Sequence, residues 1–141
     1  FDSQELEQHA EAYRIELVKN VATKQSSAED TSVLLLDAAG LFKALLDDIQ
    51  AGLPTGFIAQ CFHDAFVRVL VEMAELVRAV YGISIVALGG GVFMNRYLTE
   101  QALIQLQERG FTVAMNKDLP PNDASISYGQ AVLGWQAQNK E

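Results

Sequence analysis

The sequence predicts an α/β domain whose first part is rich in helix and whose last part is a strand–helix–strand–helix unit. Three observations support this fold class. A length of 141 residues suits one domain. Apolar residues recur every three or four positions over long stretches, as in amphipathic helices. Two short strand-like runs late in the chain flank a helical pattern, which is typical of a βαβ unit with parallel strands.

The first quarter of the chain predicts a short helix followed by a β-hairpin. Residues 4–12 have apolar side chains at helical spacing, and residues 13–18 alternate between apolar and charged, as in a half-buried strand. Residues 33–36 form a short branched apolar run that suits the second strand. The polar residues 23–32 between them predict a loose hairpin loop.

Two helices are predicted next. Asp37 is a suitable N-cap for the first, which ends at Gly52. The second begins at Pro54 and ends at Gly82, and its apolar stripe continues for most of that length. Because the stripe is wide, we expect this long helix to be buried on more than one side.

The last part of the chain predicts the βαβα unit. Residues 83–88 form an apolar run without charge, which is typical of an interior strand rather than an edge strand. A helix ending at Gly110 and a strand over residues 111–115 follow, and the last helix is predicted over residues 124–138. The two strands are expected to be parallel neighbours.

Charge and cysteine content restrict the partners and the compartment. Ten basic and 18 acidic residues give a formal charge of −8, and the basic residues are scattered, which disfavours nucleic-acid binding. The longest uncharged window, residues 79–95, contains four glycines and is shorter than the roughly 20 residues of a spanning helix, so we expect no membrane segment. A single cysteine and the absence of a signal-peptide pattern favour the cytoplasm. Because the sequence begins at Phe1 rather than Met, we expect it to be part of a longer protein.

A glycine-rich segment lies directly after the predicted interior strand. It comprises Gly89, Gly90 and Gly91 and runs through to Asn95, before the next helix. Glycines at such a place let the backbone approach a phosphate or a nucleoside closely. They are equally suited to a tight turn that needs positive φ, and the segment matches neither the dinucleotide fingerprint nor the Walker loop. Both interpretations remain open at this stage.

A second candidate position is Asp123, before the last helix. Its carboxylate suits an N-cap, and it also suits a metal ligand or a phosphate-facing group. A lone carboxylate cannot hold a transition metal, and His9 and His63 belong to no paired metal motif. We expect His63 to be a core or interface histidine, and Cys61 to be a buried small apolar residue rather than a nucleophile.

These two segments together carry a family resemblance. The sequences LGGGVFMNR at residues 88–96 and LPPNDASISYGQ at residues 119–130 resemble the end of the HypF-type carbamoyltransferases, which mature [NiFe] hydrogenases. The sequence FHDAF at residues 62–66 resembles that family's Phe-His-x-Ala-Leu helix, and residues 13–17 also align. The resemblance extends over essentially the whole chain. The glycine segment alone is shared more widely, with actin-like and sugar-kinase-like (ASKHA) ATPases.

The resemblance implies a role within a larger enzyme. Family members contain an acylphosphatase-like domain, zinc fingers, a carbamoyl-adenylate-forming domain and a final domain of the tRNA threonylcarbamoyl transferase type. Residues 1–141 are similar to the C-terminal half of that last domain, and thus to the second half of an ASKHA fold. The family uses carbamoyl phosphate and ATP to make carbamoyl adenylate, and it transfers the carbamoyl group to the C-terminal Cys of the protein HypE.

The resemblance also implies site residues. Gly89, Gly90, Gly91 and Asn95 would contact the nucleotide, and Asp123 would be one ligand of a divalent zinc or iron ion. The family often has Asp-Gly-Gly where this chain has Asp-Ala-Ser at residues 123–125. Its metal-binding histidines and first phosphate loop lie in the half of the domain that this sequence does not include. We therefore expect the chain to be inactive by itself and to bind metal weakly or not at all.

Two other functions are considered. A tRNA threonylcarbamoyladenosine-type transferase has a similar glycine segment, but the negative charge and the FHDAF helix weigh against it. A non-catalytic module that docks a partner protein on its long apolar helix is the other, and the mean hydropathy of +0.11 favours such association.

Overall fold

The computed structural model describes His9, residues 11–20 and residues 33–139. The predicted first helix falls mostly outside the described residues, although the backbone at His9, Glu11 and Ala12 is helical. The predicted hairpin loop over residues 23–32 also lies outside them. The chain divides into two compact units, Phe1–Glu72 and Met73–Glu141.

The first unit contains the predicted hairpin, one helix and most of a second helix, whose last turns belong to the second unit. Strand β1 is Glu16–Asn20 and strand β2 is Val33–Asp37, paired antiparallel with Glu16 opposite Asp37. Helix α1 is Ala39–Gln50, and helix α2 is Thr55–Tyr81. The prediction that Asp37 is the N-cap of α1 is wrong, because Ala38 occupies the cap position and makes no side-chain cap hydrogen bond. Asp37 is the last residue of β2, and its Oδ1 accepts the Ala39 N–H at 2.9 Å.

One apolar cluster forms the core of the first unit. Residues from the start of the hairpin pack with one residue of α1 and four residues of α2, namely Tyr13, Ile15, Leu41, Phe57, Cys61, Ala65 and Val69. Leu41 is fully buried, as expected from its place on the apolar face of α1. The prediction that Cys61 is a buried small side chain is confirmed, because it is 1% exposed.

The second unit contains the predicted strand–helix–strand–helix arrangement. Strand β3 is Ile85–Leu88, helix α3 is Arg96–Glu108, strand β4 is Thr112–Met115 and helix α4 is Ile126–Gln138. Strands β3 and β4 are parallel, with Ile85 opposite Thr112 and Leu88 opposite Met115. The predicted βαβ unit is confirmed.

The core of the second unit lies between β3, α3 and β4. Its buried residues are Leu88, Leu98, Thr99, Ala102, Leu106 and Phe111. The Arg78 guanidinium lies 4.1 Å from the centre of the Phe111 ring and donates to the Arg109 carbonyl at 2.7 Å. Glu75 pairs with Arg109 at 2.9 Å. These contacts fix the end of α2 against the turn between α3 and β4.

The two predictions about burial have different outcomes within the described residues. Helix α2 is buried on more than one side in its first part, where Cys61 and Ala65 lie on one face and Val67 and Val71 on another. Its last part is not buried, because Val77 is 42% and Val80 is 71% exposed. Strand β3 is not interior, since its only described partner strand is β4 and Ile85 is 66% exposed. No described element covers these apolar side chains.

Candidate functional site

Two loops follow the parallel strands of the second unit. The glycine loop, residues 89–95, begins directly after β3, and the Pro-Asn-Asp loop, residues 120–125, precedes α4. The carboxyl ends of parallel strands are the usual ligand-binding edge of such sheets. Gly89 begins the first loop at this edge, and the chain leaves β4 at the same edge toward the second loop.

Only one glycine of the glycine loop is required by its backbone conformation. Gly90 has φ of 106°, which side-chain-bearing residues rarely adopt, whereas Gly89 and Gly91 do not have positive φ. A Cβ built on Gly89 would meet nothing within 4 Å, and one on Gly91 would make an ordinary contact with Asn122 at 3.8 Å. The interpretation as a turn therefore explains Gly90, whereas the described residues give no conformational or packing reason for Gly89 and Gly91.

Asn95 has a structural role at the end of the glycine loop. A single 3₁₀ turn, Gly91–Met94, precedes it, and Asn95 is the N-cap of α3. Its side-chain Oδ1 accepts the Leu98 N–H at 3.1 Å. The Thr99 hydroxyl donates to the Phe93 carbonyl at 2.9 Å and fixes the same turn. A contact of Asn95 with a nucleotide stays a prediction.

Of the two interpretations of Asp123, the one in which it caps the last helix does not hold. Asp123 is the first residue of a 3₁₀ turn, Asp123–Ser125, and the residue that caps this turn is Asn122, whose Oδ1 accepts the Ala124 N–H at 3.1 Å. The Asp123 side chain is exposed, and its carboxylate has no hydrogen bond or ion pair within the described part of the chain. The carboxylate is thus available to a ligand.

The two loops contact each other directly. The Gly90 N–H donates to the Pro121 carbonyl at 2.6 Å, and the Asn122 amide Nδ2 donates to the Met94 sulfur at 2.9 Å. We call these two hydrogen bonds the inter-loop bridge. Sequence reasoning missed Met94, Pro121 and Asn122. The capping role of Asn122 had a signal in the sequence, since Asn is a favoured cap residue, whereas contacts across 28 or more positions had none.

A cavity lies at the carboxyl ends of β3 and β4. Its volume is about 510 Å³ and it is lined by three residues from each strand end, Ala87, Leu88 and Gly89, and Ala114, Met115 and Asn116. This volume is within the range of small-molecule sites. The glycine loop forms part of its wall, so a ligand in this cavity would contact the backbone at Gly89.

The described residues do not complete a metal site. No group of three or more His, Cys, Asp or Glu side chains that could hold a metal ion occurs among them. Asp123 can supply one carboxylate oxygen, and a transition metal needs about four ligands. The remaining ligands would have to come from outside the described residues.

The other polar candidates lie in the first unit. His9 Nε2 is 3.1 Å from Asp48 Oδ1, and His63 Nδ1 is 2.6 Å from the Ala59 carbonyl oxygen on the same helix. Burial raises the pKa of the Cys61 thiol, and the nearby carboxylates of Asp64 and Asp48 raise it further. A thiol with a raised pKa is a poor nucleophile at neutral pH, so Cys61 has a packing role.

Within the described residues, every helix is too short or too polar to cross a bilayer.

The fold and the two loops agree with the class expected from the resemblance. A glycine loop at the carboxyl ends of parallel strands, in a mixed α/β chain rich in helix, fits the second half of an ASKHA domain. Residues 3–130 match the family model described as carbamoyltransferase, Kae1-like domain, second subdomain. The chain belongs to the family of HypF-type carbamoyltransferases.

Individual relatives agree with this assignment. The chain is 35% identical over 105 residues to carbamoyltransferase HypF of Synechocystis. This match covers 74% of this chain and 13% of that protein. It is 36% identical over 100 residues to a carbamoyltransferase HypF homolog of Cupriavidus necator, covering 69% of this chain and 25% of that protein. The chain therefore spans a quarter or less of these two relatives.

Solved structures give the same result. A crystal structure of full-length HypF in its phosphate- and nucleotide-bound form matches all of this chain with a TM-score of 0.72 and 32% identity, and the match covers 18% of that protein. HypF of T. kodakarensis matches 92% of the chain with a TM-score of 0.59 and 28% identity, covering 16% of that protein. The family and the fold expected from the sequence are both confirmed.

Proposed function

We propose that residues 1–141 are the C-terminal half of the threonylcarbamoyl-transferase-like domain of a longer, cytoplasmic HypF-type carbamoyltransferase. In this proposal the longer protein uses ATP and carbamoyl phosphate, forms carbamoyl adenylate, and transfers the carbamoyl group to the C-terminal Cys of HypE. The family match supports carbamoyl transfer as the activity of the longer protein. It favours this function over the tRNA-modifying alternative.

The observation that carries the nucleotide part of the proposal is the freedom around Gly89 and Gly91. Neither glycine is required by its φ, and neither would place a Cβ closer than 3.8 Å to another described residue. A glycine that neither conformation nor packing requires is suited to a position where a ligand approaches the backbone. The cavity beside Gly89 provides room for that ligand.

Each residue of the proposed nucleotide site has a distinct role. Gly89 and Gly91 provide space for the ligand. Gly90 supplies conformation, because its N–H is already bonded to Pro121 and its φ needs glycine. Asn95 caps α3 and contacts the nucleotide from the end of the loop.

Asp123 is proposed as one ligand of a divalent metal, zinc or iron. Its exposed carboxylate, without partners in the described chain, supports this role. Because the described residues offer no complete ligand set, the chain by itself is proposed to bind metal weakly and to be inactive in transfer. A stoichiometric, tightly bound zinc or iron in the purified 141-residue chain would contradict this part of the proposal.

The test uses the longer parent protein with variants chosen to keep the fold. Asn95→Ser retains a capping hydroxyl, and Asp123→Asn retains the shape of the side chain while removing its charge. Asp118→Asn is the matched control, because Asp118 is also exposed and has no hydrogen bond or ion pair within the described chain. The measurements are ATP affinity by calorimetry, bound metal, and carbamoylation of the HypE C-terminal Cys by mass spectrometry.

The expected results separate the two roles. Asn95→Ser should weaken ATP binding by about tenfold, as for the loss of one directional hydrogen bond to a ligand. Asp123→Asn should lower the bound metal and the transfer rate, whereas Asp118→Asn should change none of the three quantities. Normal ATP affinity, metal content and transfer in both site variants would leave Asn95 a helix cap and Asp123 a surface residue.

A further inference from the structure

The contact between the two loops does not depend on a hydrophobic core. The 3₁₀ turn Gly91–Met94 has no buried residue, and neither does the 3₁₀ turn Asp123–Ser125. Met94 itself is 61% exposed. Because neither turn has a fully buried side chain, the two hydrogen bonds of the inter-loop bridge are the specific contacts described between them.

Asn122 is the residue that joins the two turns. Its Oδ1 accepts the Ala124 N–H at 3.1 Å, which fixes the side chain to the turn that carries Asp123. Its Nδ2 donates to the Met94 sulfur at 2.9 Å, which fixes the other end of the same amide to the glycine loop. One planar amide thus contacts both loops, beside the backbone bond between Gly90 and Pro121.

The surrounding backbone leaves Asn122 little freedom. Its own carbonyl accepts the Ser125 N–H at 3.1 Å, and the Ser125 hydroxyl donates to the Pro120 carbonyl at 2.5 Å. The preceding residue, Pro121, accepts the Gly90 N–H at 2.6 Å. The Asn122 Cβ lies 3.8 Å from where a Cβ on Gly91 would be. Rotation of the Asn122 side chain would break the cap or the contact with Met94.

We propose that Asn122 is a positioning residue of the nucleotide site, which acts through Met94 to hold the glycine loop in register with Asp123. The proposal rests on the function proposed above, because it takes the glycine loop as the nucleotide site and Asp123 as the metal ligand. Asn122 does not itself touch the reacting groups. It sets the distance between the residues that do, and a displacement of about 1 Å in such a site can reduce activity by up to about 100-fold.

The global stability of the chain should be nearly insensitive to this contact. A thioether is a weak acceptor, and an exposed hydrogen bond contributes little net free energy. A merely structural role would therefore predict small effects on every measurement. A positioning role predicts a small effect on the melting temperature together with a large effect on ligand affinity, and this difference makes the proposal testable.

The first experiment is amide hydrogen exchange by NMR on the 141-residue chain. Asn122→Ser keeps a short capping hydroxyl but cannot reach Met94, and Met94→Leu removes the sulfur while keeping a similar volume. Both variants should speed exchange of the Gly90 N–H, which is bonded to Pro121, by about tenfold or more, and leave the Val86 N–H in β3 unchanged. Met73→Leu, on α2 and 41% exposed, is the matched control and should change neither.

The second experiment measures ATP affinity and metal content in the longer parent protein. Asn122→Ser and Met94→Leu should each weaken ATP binding by about tenfold, and the double variant should be no weaker than either alone, because both remove one contact. Metal content should stay normal, since Asp123 is intact. Unchanged exchange of the Gly90 N–H in both variants would overturn the proposal. Faster exchange with unchanged ATP affinity would also overturn it, and so would losses of ATP affinity that add up fully in the double variant.

Failure of the underlying function has a different signature. If Asn95→Ser and Gly91→Ala leave ATP affinity unchanged in the parent, the glycine loop is not the nucleotide site and the positioning role is overturned with it. Gly90 exchange in the Asn122 variant would still report whether the inter-loop bridge exists. The two proposals therefore fail through different measurements.

Discussion

Replacement of Tyr13 by Phe tests the buried polar contact of the first unit. Tyr13 is fully buried, and its hydroxyl donates to Asp48 Oδ2 at 2.8 Å. Asp48 is only 7% exposed, and its other oxygen, Oδ1, lies 3.1 Å from His9 Nε2. Tyr13→Phe keeps the ring in the core and leaves the bond from Arg68 to the Tyr13 carbonyl intact, so that it removes one hydrogen bond.

The expected loss follows from the burial of both partners. A hydrogen bond to a charged group contributes about 1.5–3 kcal/mol to the free energy of unfolding. Removing the donor from a buried carboxylate should lower the free energy of unfolding by that amount. For a chain of this length each kcal/mol corresponds to roughly 3–4 °C in melting temperature. Tyr13→Phe should therefore lower the melting temperature of the 141-residue chain by roughly 5–12 °C.

The assay is thermal and urea unfolding followed by circular dichroism. Tyr81→Phe is the matched control, because Tyr81 is 72% exposed. Loss of its hydroxyl should lower the free energy of unfolding by less than about 0.5 kcal/mol. The urea m-value should stay the same in both variants, since the extent of the core does not change. Equal melting temperatures for the two variants would show that the Tyr13–Asp48 contact does not stabilise the fold.

Three further predictions concern the thiol, the glycine loop and pH. Cys61 is 1% exposed with a raised pKa, so a thiol reagent at pH 8 should modify it only after urea unfolding, and rapid modification of the folded chain would contradict its burial. Gly90→Ala should destabilise the chain by about 1–3 kcal/mol because of its positive φ, whereas Gly91→Ala should leave the urea midpoint unchanged and weaken ATP binding by the parent. The pKa values of the Cys61 thiol and the Tyr13 phenol are raised in the folded state, both chiefly by burial, so the unfolded state loses these protons first. These two groups should therefore not change the free energy of unfolding below about pH 8, and their ionisation should lower it as pH rises further. In Tyr13→Phe, the fall in the free energy of unfolding above about pH 10 should be smaller.

The sequence predicted best those features that depend on local chemistry. Glycines with positive φ end α1, α2 and α3 where predicted, at Gly52, Gly82 and Gly110, because helix termination there needs only the conformational freedom of one residue. The parallel pairing of β3 and β4 was predictable because a crossover helix between two short strands permits few other arrangements.

The inter-loop bridge and the buried polar contact were not predictable in the same way. The Tyr13–Asp48 pair spans 35 positions and the Met94–Asn122 pair spans 28, and neither leaves a periodic signal. The alternative in which Asp123 is a cap failed by one position. Asn122 and Asp123 are both good cap residues, and the 3₁₀ turn begins at Asp123, which leaves Asn122 in the cap position.

The wrong prediction about the burial of strand β3 is the more informative one. Strand β3 has the uncharged apolar sequence of a strand covered on both faces, yet Ile85 is 66% exposed. Helix α4 has no buried residue, and Leu133 and Trp135 are each 67% exposed. These apolar side chains are exposed because no described residue covers them. Exposed apolar surfaces of this kind are suited to packing against further polypeptide. Since the relatives are at least four times as long as the part matched, the proposal that this chain is one half of a larger domain accounts for these faces without a separate docking function.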